Sequence, residues 1–76
     1  MERAEREMIE REVPRNFELK KLYAQHHEFE ERLQQLARQS FLTPAEEQEE
    51  RKLKQLKLRG VERMLFLVNG GHAATL

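Results

Sequence analysis

One short passage, Thr43-Pro44-Ala45-Glu46, does most to limit what this chain can become. An N-cap threonine accepts a hydrogen bond from the third helical residue, and a glutamate placed there reaches back to the cap. Thr43 and Glu46 therefore spell a capping box. Pro44 falls at the first helical position, where a missing N–H is no loss. A helix starts there. The residues upstream are also helical by pattern, and only Gln39 to Leu42 lie between. Two long helices joined by so short a connection return antiparallel.

The upstream helix is marked by Leu19, Leu22, His26, Phe29, Leu33, Leu36 and Ser40, which alternate spacings of three and four. That is a heptad a/d seam. Asn16 suits the N-cap and Glu18 the positive end of the dipole, so the helix is expected over 16–39. Tyr23 and Ala37 flank the seam and widen it.

The downstream helix is expected over 44–68. Its acids come first (Glu46, Glu47, Glu49, Glu50) and its bases later (Arg51, Lys52, Lys54, Lys57, Arg59, Arg63), an order that complements the macrodipole. Leu53, Leu56, Gly60, Met64 and Leu67 supply its seam, while Leu58, Val61, Leu65 and Val68 broaden the apolar arc to roughly 200°. One partner helix needs less. The excess predicts contact with a second molecule. The expected fold is all-α: an antiparallel two-helix hairpin, coiled-coil-like, pairing with another into a four-helix bundle. Asn69-Gly70-Gly71 ends the second helix, and residues 70–76 are expected to be a disordered tail.

Residues 1–14 alternate acid and base, with Met8, Ile9 and Val13 as their main apolar content. Pairs such as Glu2 with Arg6 and Glu7 with Arg11 favour a helix. The apolar stripe is thin and Pro14 disfavours helical geometry at Val13. The expectation is a short charged helix or a fraying arm. With 76 residues and no cysteine, the chain has neither a large core nor disulfides to supplement it, which again favours self-association.

Several function classes fall away. The longest apolar run, Met64 to Val68, is far short of the ~20 residues of a membrane span. The opening residues carry no apolar stretch of a secretory signal, so a cytoplasmic location is expected. Fourteen bases balance fourteen acids, which removes any global attraction to a polyanion. No nucleophile sits with a base, no glycine loop could cradle phosphate, and no ligand cluster suggests a cofactor or metal. An enzyme is not expected.

Two side-chain groups remain. His26, inside the seam, reads either as a pH-sensitive or register-fixing polar residue or as a partly exposed histidine with one hydrogen bond. His26 with Glu30 and His27 with Glu31 have the i,i+4 spacing of metal ligands, but neighbouring histidines point ~100° apart, which argues against a shared ion. Lys52, Arg59 and Arg63 share a stripe that could touch phosphates. The plainer reading is a solvated face tuned to the dipole.

The run Leu22-xxx-His26-xx-Phe29-Glu30-xx-Leu33, the Thr-Pro-x-Glu turn, and Leu53-Lys54-xx-Lys57-Leu58-xxx-Glu62-x-Met64 together resemble the small bacterial YdcH-like proteins. The likeness covers about residues 17–68. Phe29 and Glu30 replace the usual Leu and Asp. Gly60 and Val61 stand where Leu and Lys are usual, and Glu62 where Asp is. Glycine costs up to ~1 kcal/mol inside a helix. Its place on the apolar arc points to close helix approach at Gly60, with a bend as the other option. The resemblance implies a helical hairpin, open to self-association, without an assigned activity.

The functional expectation is a non-enzymatic structural or interaction module, self-associating as a dimer and presenting its faces to a partner protein yet to be identified. The alternative is nucleic-acid association through Lys52, Arg59 and Arg63.

Overall fold

The computed structural model describes residues 2–70, which form α1 (Arg3–Glu12), α2 (Phe17–Ala37) and α3 (Pro44–Val68). A 3-10 turn at Val13–Arg15 separates the first two. Among the described residues there is no strand, and no helix is long and apolar enough to cross a membrane. Of the expected tail, 70–76, all but Gly70 lies outside the described residues.

The helices begin where their caps require. Asn16 Oδ1 accepts from the Leu19 N–H at 3.0 Å. Thr43 Oγ1 accepts from the Glu46 N–H at 3.1 Å, while the Thr43 N–H donates to Glu46 Oε1 at 2.9 Å. That backbone donor holds the Glu46 carboxyl below the usual carboxylate range. α2 ends two residues earlier than expected, at Ala37. α3 stops beyond Val68, where Gly70 takes the positive φ of 98° typical of a residue after a helix and donates its N–H to Leu67 O at 3.3 Å.

α2 and α3 form the antiparallel hairpin. Three ion pairs record its register: Arg32 with Glu49, Glu30 with Lys57, and Glu18 with Arg63. The first is a two-bond fork, Nε to Oε2 at 2.7 Å and Nη2 to Oε1 at 2.8 Å. It holds Glu49 in its charged form, shifting that carboxyl down.

The N-terminal segment is a third packed helix rather than a fraying arm. Pro14 sits in the first turn of the 3-10 element, and α1 before it packs chiefly against α3. Tyr23 of α2 donates its hydroxyl to Glu10 of α1, and Arg6 lies further along, beside His27 and Glu30. The thin stripe suffices because Ile9 docks onto a surface already made by the hairpin. Ile9, Leu19 and Met64 are all 0% exposed and form one core, with Val13, Leu22, Tyr23, Val61 and Leu65 packed around them. Burying a side chain of this size contributes about 1.5–3 kcal/mol. Tertiary packing, more than helix propensity, thus holds α1 in place. Leu36, 1% exposed, is the buried apolar residue near the turn.

Candidate protein-interaction surface

The α2 seam is buried in an uneven way. Leu19, His26 and Leu36 are fully covered, whereas Leu22, Phe29 and Leu33 are half-buried. On α3 only Met64 is fully covered, while Leu53, Leu56, Gly60 and Leu67 are half-buried. The hairpin therefore closes along its midline and leaves apolar edges on both flanks.

One flank carries a cleft between the Glu18–Arg63 and Arg32–Glu49 pairs, with Leu22, Phe29, Leu56 and Gly60 along it. A Cβ at Gly60 would meet nothing within 4 Å. Close helix approach, expected here from the apolar arc, does not occur within the hairpin. The missing side chain widens the cleft instead.

On the other flank, Leu58, Val61, Leu65 and Val68 follow one another at spacings of three, four and three, a single stripe of α3. α1 covers Val61, Leu65 and Val68 through the Ile9 core. Beyond the start of α1 the stripe runs into an open groove of about 540 Å³, lined by Leu33, Ala37, Leu58 and Val61. Leu58 is 59% exposed there. Glu30, Glu50, Lys54 and Lys57 rim the groove. Glu30 also borders the pocket beside Arg6, so groove and first helix adjoin.

His26 is buried, 6% exposed, rather than partly exposed. Its Nε2 lies 3.4 Å from Glu30 Oε2, while Nδ1 is buried without a hydrogen-bond partner. Burial pushes its pKa below the ordinary 6.5; Glu30 opposes that shift, and Lys57 and His27 add to it. His27 is exposed and meets Tyr23 edge-on, ring centroids 4.6 Å apart. Burial and the Glu10 carboxylate push the Tyr23 hydroxyl up to about 12. Glu31 is exposed, and no group of three or more ligand side chains among the described residues could hold a metal ion.

The basic stripe is not uniform. Lys52 and Arg59 are exposed. Arg63 is engaged on Glu18, Nε to Oε2 at 3.0 Å, and lies over the Phe66 ring at 5.2 Å. Lys52 and Arg59 form no ion pair with a described residue, whereas Arg63 does.

Sequence reasoning missed the docking of α1 and the groove it leaves. The available signal was the width of the α3 arc, which needed cover that Ile9 was near enough to supply. Compared with family models, curated proteins and solved structures, the chain matches none.

Proposed function

We propose that this chain is a non-enzymatic interaction module that works by self-association through its helical hairpin. The observation that carries this reading is the partial cover of α3. α1, with 10 residues, spans about 15 Å, while α3, with 25 residues, spans about 37 Å. The uncovered length leaves Leu58 largely in solvent beside the half-buried Leu33 and Val61. Only Ile9, Leu19, Leu36 and Met64 are fully buried apolar side chains among the described residues. A core so small gains from added burial.

In this reading the α2–α3 hairpins of two copies form a four-helix bundle, each with α1 as a partial outer layer, and the assembly acts in the cytoplasm. The likeness to the YdcH-like proteins belongs to the same proposal and adds no activity to it. The test is sedimentation equilibrium over a wide concentration range. A mass that rises from monomer to dimer supports the module; a monomer at every concentration overturns it.

A further inference from the structure

The uncovered groove has charges that the fold does not use. Glu30 and Lys57 at its rim pair with each other at 3.4 Å. Glu50 and Lys54, one turn apart on the same rim, form no ion pair with any described residue. One free acid and one free base thus border an apolar trough containing Leu58.

We propose that this groove docks a second copy of the chain, antiparallel about a two-fold axis that crosses α3 near residues 50–54. Each Leu58 enters the partner's groove, and Glu50 of each copy faces the partner's Lys54. This inference rests on the self-association reading and gives it a surface and a geometry.

Two arguments select that arrangement. A two-fold interface uses one patch twice, so the patch must complement itself. With the axis perpendicular to α3 the helices run antiparallel, and each acid meets a base. With the axis along α3 they run parallel, and Glu50 meets Glu50 while Lys54 meets Lys54, a costly match. The rest of the helix agrees, since Glu46, Glu47 and Glu49 precede Lys54 and Lys57. A partner helix of one charge sign would satisfy either Glu50 or Lys54 and repel the other. A second copy satisfies both.

The stripe supplies the second argument. Leu58 continues the line of Val61, Leu65 and Val68 that α1 already covers. The groove is therefore the unfilled continuation of a helix-binding position that the fold itself uses once.

The test is sedimentation velocity on the full chain and on Leu58→Glu, Glu50→Lys, Lys54→Glu and the Glu50→Lys/Lys54→Glu double variant. Circular dichroism checks that helicity is kept. Each single change is expected to weaken the dimer about tenfold or more, and the double exchange to restore it to within about threefold of wild type. A dimer indifferent to the single changes overturns this surface while the module reading stands. Single losses without restoration in the double variant overturn the antiparallel pairing. A wild-type chain that is monomeric throughout overturns the surface and the module together.

Discussion

Arg63 of α3 grips Glu18 of α2 with two donors, Nε at 3.0 Å and Nη2 at 3.3 Å, across the end of the hairpin away from the turn. Both side chains are about half exposed. A surface pair of this kind contributes about 0.2–1 kcal/mol and weakens as salt screens it. Glu18→Gln is therefore expected to lower the melting temperature slightly in dilute buffer and hardly at all near ~1 M salt. Thermal melts at the two ionic strengths check this. A loss of equal size at both would mean that Glu18 acts through packing.

The docking of α1 hangs on Ile9. Ile9→Ala is expected to cost about 2–5 kcal/mol, the usual range for emptying a filled core position. The hairpin caps at Asn16 and Thr43 do not involve Ile9, so α1 is expected to suffer most. Hydrogen exchange resolved by segment provides the check. Protection lost over residues 3–12 but kept in the middle of α3 supports the assignment, whereas unchanged protection in α1 contradicts it.

His26 carries the clearest pH dependence. Burial lowers its folded pKa below 6.5, so the unfolded chain takes up a proton more readily than the folded one. Its neutral form is accommodated above that value, and stability falls as pH drops through 6.5 toward the folded pKa. His26→Leu removes both the titration and the unpartnered Nδ1. Stability is expected to rise by about 1–3 kcal/mol, and the decline on the acid side of 6.5 to flatten. Denaturant titrations at pH 5.5 and 7.5 measure both effects; a wild-type chain equally stable at the two values would refute the assignment.

Gly60→Ala tests the cleft on the opposite flank. The new methyl meets open space, and alanine is favoured over glycine inside a helix by up to ~1 kcal/mol. The variant is expected to melt at a higher temperature with the dimer affinity unchanged. A destabilised variant would show that the glycine serves a backbone approach after all.

The hairpin was readable in the sequence because its signals are local. The Asn16 cap, the Thr43–Glu46 box and the three-four spacing of the seam each depend on residues within a turn or two of one another. α3 is bounded as expected, at Pro44 and Val68. The fate of α1 was less readable because it is decided by contacts across the chain. Ile9 gains its burial only once Leu19 and Met64 have been brought together, which no pattern within residues 1–14 expresses. The site residues divide in the same way. Periodicity placed Leu58 on the α3 arc, but its exposure depends on where α1 stops. Charge counting put Arg63 on a basic face; its engagement with Glu18 required the hairpin register.

The position of Ile9 also bears on how the molecule comes together and comes apart. Arg32 and Glu49 are separated by a short stretch of chain near the turn, while Glu18 and Arg63 enclose a much longer one. Closing the shorter loop sacrifices less chain entropy, so loop closure favours contacts near the Thr43 corner over those at the far end. The end away from the turn closes the longer loop and depends more on its own contacts. Ile9 lodges at that end, between Leu19 and Met64. α1 thus acts as a splint on the mouth of the hairpin, and releasing it removes contacts from the side farthest from the turn.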